Sequence, residues 1–247
     1  LAGVASASVI RMKAFVVAID GPAGTGKSSA TRRLAEALGF VHVDTGALYR
    51  AVAFLTKEQL AASFIDSGNP AGEFQKAAEI ARLAHLEFRR MENKNPSNRI
   101  LANGRDLTEY IRTPEISMAS SRVSANPEVR AALLGLQRRL GCVGRTILEG
   151  RDIGTVIFPD ADVKFFLSAS VEERAKRRLT ELEASGADAP SFEEVKNQIA
   201  ERDRGDSTRS VAPLKRAPDA IDVDTTMLTL DQVVQAMERA VRERLKL

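Results

Sequence analysis

The sequence predicts an α/β protein built on a five-stranded parallel sheet with helices on both faces. Three observations carry that reading. A glycine-rich stretch, GPAGTGKSS at Gly21 to Ser29, sits between an apolar run of strand length and a helical segment. From Ala14 to Gln59 the pattern alternates strand, helix, strand, helix, the opening of a doubly wound sheet. The strand candidates are short continuous apolar runs, as parallel strands covered on both faces require.

Taken in order, Ala14 to Ile19 is the first strand, and Lys27 to Leu38 is a helix with Ala30, Leu34 and Leu38 on one face, stopped by Gly39. Phe40 to Val43 is a second strand running into Asp44-Thr45-Gly46, and Ala47 to Gln59 is a helix that turns Leu48, Val52 and Leu55 inward. The chain then changes character. It carries the polar run Asp66-Ser67-Gly68-Asn69-Pro70, a helix over Glu73 to Leu83, and strand-like patches at His85 to Phe88 and Arg99 to Ala102 around a polar turn at Asn93 to Asn98. A helix and a small hairpin fit an inserted lobe over residues 64–111 better than the central sheet. Thr113-Pro114 starts a helix through Ser124, and Pro127 starts another through Leu140.

Arg145 to Leu148, Asp162 to Leu167 and Ala220 to Val223 complete the five strands. Between them lie a basic helix at Val171 to Glu183, a flexible joint at Ser185 to Pro190, a helix at Phe192 to Arg202, and a charged hinge or lid at Asp203 to Ser210. Leu230 to Leu245, opened by Thr229, is a closing amphipathic helix. The expected division is a loose tail at 1–13, core at 14–63, 112–184 and 213–247, the inserted lobe at 64–111 and a lid region at 185–212.

The 247 residues suit one such domain with small inserted lobes. Basic residues number 36 against 33 acidic, and aromatics make up 5%, with neither an arginine-rich arm nor a stacking platform, so no nucleic-acid partner is expected. The single cysteine, Cys142, excludes an internal disulfide and fits a reducing, cytoplasmic setting; it reads as a small hydrophobe at a helix end. His42 and His85 are too few and too far apart to make a metal site by themselves. No apolar run approaches the roughly 20 residues of a membrane span, and Leu1 to Ile10 lacks the basic start of a secretory signal. With no long apolar face left unassigned, a monomer is expected.

The chemistry starts at the glycine-rich stretch, which satisfies G-x-x-x-x-G-K-[ST] at every fixed position. Gly21, Gly24 and Gly26 let successive N–H groups turn into one concavity without Cβ atoms in the way, and Pro22, Ala23, Thr25 and Ser29 complete the cradle. The following helix adds its N-terminal dipole. Lys27 would reach the β- and γ-phosphates of a nucleoside triphosphate, and the Ser28 hydroxyl would hold Mg²⁺ directly or through water. That motif alone leaves kinases, GTPases, ATPases and motor domains open.

Six arginines narrow the choice: Arg50, Arg112, Arg130, Arg151, Arg202 and Arg209 each stand just past a strand or in a charged stretch. Several guanidinium groups suit a transfer that crowds two anions together. No nucleophilic serine or histidine base stands out, and an acceptor that is itself a phosphate needs none, because its oxygen is already ionised near neutral pH. A small alcohol such as shikimate would want a base, for which Asp44 is the one candidate. A P-loop switch or nucleic-acid ATPase is disfavoured: Asn93-Lys94 is followed by Asn95-Pro96, so the guanine-reading N-K-x-D is missing, and no second Walker motif follows.

The chain resembles the bacterial cytidylate kinases of the nucleoside monophosphate kinase group from about Ala18 to Val234. The motifs are AIDGPAGTGKSS at 18–29, DTGALYRAVA at 44–53, YIRTPEIS at 110–117, SRVSANPEVRAALLGLQRRL at 121–140, EGRDIGTVIFPDADVKFFLSASVEERAKRR at 149–178 and ERDRGDSTRSVAPL at 201–214. The resemblance implies a P-loop kinase fold with a monophosphate-binding insertion and a short lid, and phosphorylation of CMP and dCMP by ATP with Mg²⁺ in pyrimidine nucleotide metabolism. It further implies that Thr45, Arg50, Arg112, Arg151 and Arg202 surround the acceptor phosphate or ribose, and that Ser121, Arg130 and Asp152 read the cytosine edge. Asp206 and Arg209 would contact ribose and phosphates from the lid side, and Lys27, Arg151, Asp152 and Arg202 would carry catalysis. The sequence departs from the relatives at Thr45, where serine is common, and is poor in family motifs between Asp66 and Asn98.

Overall fold

The computed structural model describes residues 14–62, 70–90, 98–184 and 190–246. The elements run β1 (Phe15–Asp20), α1 (Lys27–Leu38), β2 (Val41–Asp44), α2 (Thr45–Ala62), α3 (Pro70–Leu83), β3 (Leu86–Arg90), β4 (Asn98–Ala102) and β5 (Arg105–Asp106). A 3₁₀ turn at Tyr110–Arg112 leads to α4 (Pro114–Ala125), α5 (Pro127–Gly141) and β6 (Arg145–Glu149). A π-helical turn at Ile153–Ile157 precedes β7 (Val163–Ser168), α6 (Val171–Ala184), α7 (Phe192–Thr208), β8 (Ile221–Asp224) and α8 (Leu230–Leu245).

The five core strands form one parallel sheet in the order β2-β6-β1-β7-β8, with the order reversing beside β1. The period of two along β1 explains its two faces. Val17 and Ile19 pack with α1 and α8 residues such as Leu34 and Met237, while Val16 and Ala18 pack with Ile153 and Ile157 of the π-turn. Every core strand ends on the same edge, which places Asp44 and Glu149 side by side in register and Asp20 one residue beyond Ile19, the β1 partner of Glu149. In open α/β sheets ligands bind at that edge, where the strand order reverses.

Residues 70–90 and 98–106 supply α3 and a separate three-stranded antiparallel sheet, β3-β4-β5, one strand more than the expected hairpin. Asn103 and Gly104, both at positive φ (51° and 81°), make the tight turn into the extra strand. Ala77, Ile80, Leu86 and Ile100 from this region share a core with Leu48 and Val52 of α2, Val123 of α4 and Leu133 of α5.

Several boundaries differ from the sequence reading. α2 begins at Thr45, two residues before the expected Ala47, because the Asp44 carboxylate accepts the Ala47 N–H at 3.2 Å and caps the helix directly off the strand. α3 begins at Pro70, and its pre-formed φ suits a first helical turn. Of the stretch Asp203 to Ser210, expected as a charged hinge or lid after a helix ending at Arg202, residues Asp203 to Thr208 continue α7 as one helix. The acids there are partnered rather than solvated: Arg174 of α6 holds Asp203 at 2.6 Å, and Asp206 is buried. Cys142, expected as a small hydrophobe at a helix end, does end α5, and it is exposed to solvent. The expected tail at 1–13, the run 66–69, the polar turn at 93–97 and most of the joint at 185–190 lie outside the described residues.

Candidate active site

The phosphate loop is the turn from β1 into α1. Gly21 has φ 147°, and a Cβ there would stand 2.1 Å from the Leu167 carbonyl oxygen, so only glycine fits. Gly24 and Gly26 turn the loop at φ 77° and 82°, and Gly26 sits at the helix cap. The loop is braced from outside: Arg174 donates to the Ala23 carbonyl at 3.1 Å and the Thr225 hydroxyl to the Thr25 carbonyl at 3.0 Å. The Lys27 ammonium lies inside the curl, donating to the Pro22 carbonyl at 2.5 Å and the Thr25 hydroxyl at 3.3 Å.

Burial pushes Lys27 well below the usual lysine range, and Arg151 and Arg202 push the same way against Glu149 and Asp20. A cation held like this gains from a multiply charged anion. Next to it, the Ser28 hydroxyl donates to Glu149 at 2.7 Å, and the second Glu149 oxygen meets His42 Nε2 at 2.8 Å. Burial pulls His42 down, but its hydrogen bond to Glu149 and the charges of Glu149 and Asp44 outweigh that and raise it above its usual value.

Arginines converge on the other side of the edge. Arg50 donates to Asp44 at 2.6 Å and Arg151 to Asp206 at 3.0 Å. Burial, then the neighbouring charges of Arg151 and Arg50, lower Arg202 to about 10, with Asp206 opposing. Thr45 is buried, and its hydroxyl donates to the Glu149 carbonyl at 2.8 Å. Deeper in, Arg130 and Asp152 form a buried ion pair, with the Arg130 guanidinium 5.5 Å above the Tyr49 ring. Arg209 Nη2 stands 3.6 Å from the other Asp152 oxygen. Three buried donors in this cluster, Arg50 Nε, Arg202 Nε and Arg209 Nη2, have no hydrogen-bond partner.

The structure thus brings Lys27, Ser28, Thr45, Arg50, Arg130, Arg151, Asp152, Arg202, Asp206 and Arg209 to one edge of the sheet. It ties neither Arg112 nor Ser121 to them by a hydrogen bond or ion pair among the described residues: Arg112, the last residue of the 3₁₀ turn, is exposed, and Ser121 is half-buried on α4. The sequence reading missed Asp20, Tyr49 and Glu149 as site residues. Asp20 and Glu149 each end an apolar strand run, and that is the signal they leave. Among the described residues no group of three or more His, Cys, Asp or Glu side chains comes together as a metal cluster; beside Lys27, Ser28 and Glu149 place two hard oxygen donors in contact. No helix among the described residues is long and apolar enough to cross a membrane.

Comparison with known proteins adds a family. The family model described as cytidylate kinase matches residues 17–243. A cytidylate kinase of Geobacter sp. (strain M21) is 50% identical over 238 residues, covering 96% of this chain and 97% of that protein. The cytidylate kinase of Citrifermentans bemidjiense is 49% identical over 238 residues with the same coverage. A bifunctional pantoate ligase/cytidylate kinase of Synechococcus sp. (strain CC9311) is 44% identical over 229 residues, which are 93% of this chain and 44% of that protein.

Proposed function

The chain belongs to the cytidylate kinase family, and from that premise we propose how its site phosphorylates CMP with ATP, taking dCMP as a second acceptor. An oxygen of the acceptor phosphate attacks the γ-phosphorus in line, and the bond to the β-phosphate oxygen of ADP breaks. No general base is needed, since the attacking oxygen is already ionised. The residues supply positioning and charge neutralisation.

Lys27 and the loop N–H groups hold the β- and γ-phosphates. Arg50, Arg151 and Arg202 hold the acceptor phosphate against them, with Asp44 and Asp206 aiming two of the guanidinium groups. Arg112 approaches from the 3₁₀ turn as a further phosphate contact. The Ser28 hydroxyl and the adjoining buried Glu149 carboxylate, both hard oxygens, would hold Mg²⁺, which would supply charge neutralisation for the transferring phosphate. Cytosine offers two acceptors, O2 and N3, and one amine donor. Arg130 and Ser121 supply donors, and Asp152 accepts from the amine. Asp206 and Arg209 lie on the ribose side. Thr45, through its bond to the Glu149 carbonyl, keeps the start of α2 against β6.

The observation that carries this reading is the pair of buried guanidinium donors without a hydrogen-bond partner, Arg50 Nε and Arg202 Nε, beside Arg209 Nη2, which faces Asp152 at 3.6 Å without a hydrogen bond. Each such group costs about 1–3 kcal/mol when left unsatisfied, and phosphate oxygens of two nucleotides satisfy them together. The test is ADP formation from Mg-ATP with CMP, dCMP, UMP, AMP, dTMP and shikimate, beside a control without acceptor. CMP first and dCMP close behind is the expected order. Turnover with shikimate or AMP instead, or equal ADP formation without any acceptor, refutes the acceptor assignment.

A further inference from the structure

Asp20 is the last residue of β1 and the one before the phosphate loop, and it is almost fully buried at 4% exposure. Its carboxylate binds nothing in that loop. One oxygen accepts the N–H of Ile153 at 2.8 Å and the other the N–H of Gly154 at 2.7 Å. These are the first two residues of the π-turn, and Arg151 and Asp152 precede them directly. A second tie runs alongside, from the Gly150 N–H to the Ile19 carbonyl at 3.0 Å. The segment that presents Arg151 and Asp152 is therefore held at both ends by the strand that presents the phosphate loop.

The two partners differ in stiffness. β1 is fixed by parallel ladders on both sides, to β6 and β7. The π-turn is irregular, and its early N–H groups have no helical partner of their own. We propose that Asp20 is a positioning residue: its carboxylate locks the Arg151-Asp152 segment onto the phosphate-loop strand, so that acceptor and donor phosphates meet in register. The inference rests on the reading of Arg151 and Asp152 as acceptor-binding groups.

The same geometry has a pH signature. Burial raises Asp20 to about 6, with the Gly154 and Ile153 N–H groups and Lys27 opposing and Asp152 adding to the rise. Around it stand Asp152 beyond β6, Lys27 of α1 and, across Gly154, the Lys164 stem of β7. The carboxylate is charged above that value and offers two full acceptors. Below it, the protonated group resembles an asparagine side chain, one acceptor and one donor.

Asp20→Asn tests the clamp. At pH 8 we expect kcat/KM for CMP to fall at least about tenfold, while the Kd of an ATP analogue measured without CMP changes less than about threefold. At pH 5.5 the wild-type-to-variant ratio narrows toward one, because both proteins then carry a half-amputated acceptor; a merely structural role would lower Tm and leave that ratio independent of pH. Amide exchange at Ile153 and Gly154 should accelerate at least about tenfold in the variant, a readout that needs no substrate. Unchanged exchange, or a kinetic ratio near one at pH 8, overturns the proposal. Wild-type protein inactive on CMP but with the expected exchange change would instead sink the acceptor reading and leave the clamp standing. If Asp20→Asn does not fold, Gly154→Ala presses on the same contact from the turn, since its Cβ would meet Asp20 Oδ2 at 3.4 Å and Lys164 Cδ at 3.1 Å; the same kinetic and exchange changes are expected, and their absence is equally fatal.

Discussion

Removing the Asp152 carboxylate tests the acceptor side at its most buried point. Asp152 and Arg130 are each 6% exposed at the side chain, and Arg209 approaches the same carboxylate at 3.6 Å. Asp152→Ala therefore leaves the Arg130 guanidinium buried with the Tyr49 ring and the Ser124 carbonyl, 3.3 Å from its Nη1, as its remaining company. Breaking a buried pair from one side costs about 3–5 kcal/mol. For a chain of this size each kcal/mol moves Tm by about 2–4 °C, so a fall of about 6–20 °C is expected by thermal unfolding. The base contact is lost as well. One hydrogen bond to a charged acceptor is worth about 1.5–3 kcal/mol, which lowers kcat/KM for CMP by about 10–150-fold in a coupled ADP assay. Affinity for ATP alone should change little. Asp152→Asn keeps the shape and one acceptor and should fall between the two on both measures. A variant with Tm within about 2 °C of the wild type would disprove the uncompensated charge, and unchanged CMP kinetics would remove Asp152 from base reading.

Lys27→Met should cut kcat by about 10²–10³-fold, as loss of one preorganised charge does, yet leave Tm equal or higher, because burial already disfavours this ammonium; a Tm drop would show that the charge is structural. Gly21→Ala forces a residue to φ 147° with Cβ 2.1 Å from the Leu167 oxygen, so overpacking and backbone strain together should cost about 2–6 kcal/mol in chemical denaturation; a stable variant would mean that the turn can move. His42 titrates above its ordinary value. Its pairing with Glu149 thus stabilises the fold fully below pH 6.5, and that stabilisation disappears as pH rises through the raised value. The Tm gap between wild type and His42→Gln should accordingly be larger at pH 6 than at pH 8.5, and a gap that widens with pH contradicts the assignment.

What the sequence made legible follows from how local each cause is. The phosphate loop is legible within nine residues, because Gly21, Gly24 and Gly26 all adopt positive φ that glycine alone takes readily, although the Leu167 carbonyl that crowds Gly21 lies far along the chain. The five strands were legible because burial on both faces leaves an unbroken apolar run. α7 was misread at Asp203 to Thr208 because charge alone does not tell a solvated loop from a helix whose acids meet arginines elsewhere. Arg174 and Arg151, the partners of Asp203 and Asp206, lie 29 and 55 positions away. Asp20 answers to backbone groups at 153 and 154, and nothing near Asp20 in the chain announces them. His42 was set aside when two histidines made no metal site, whereas its partner is a carboxylate 107 residues on.

The acids also change how the arginine cluster works. Lys27, Arg50, Arg130, Arg151, Arg202 and Arg209 stand among Asp20, Asp44, Glu149, Asp152 and Asp206, so the edge is close to neutral and is not simply a basic patch that attracts phosphate. Asp44 shows why the acids are there. Burial alone would raise it, but Arg50 and His42 hold it below the usual carboxylate range, so it stays charged and keeps one face of the Arg50 guanidinium occupied. The Nε on the other face is left buried and unpartnered. Asp206 fixes Arg151 in the same manner, and Asp152 fixes Arg130 with Arg209 alongside. Each acid uses up part of an arginine's hydrogen-bonding capacity and in return sets its direction, which is what a transfer relying on position rather than on a base demands. Among the described residues of this cluster, Arg50 Nε and Arg202 Nε keep free donors beside the oriented groups.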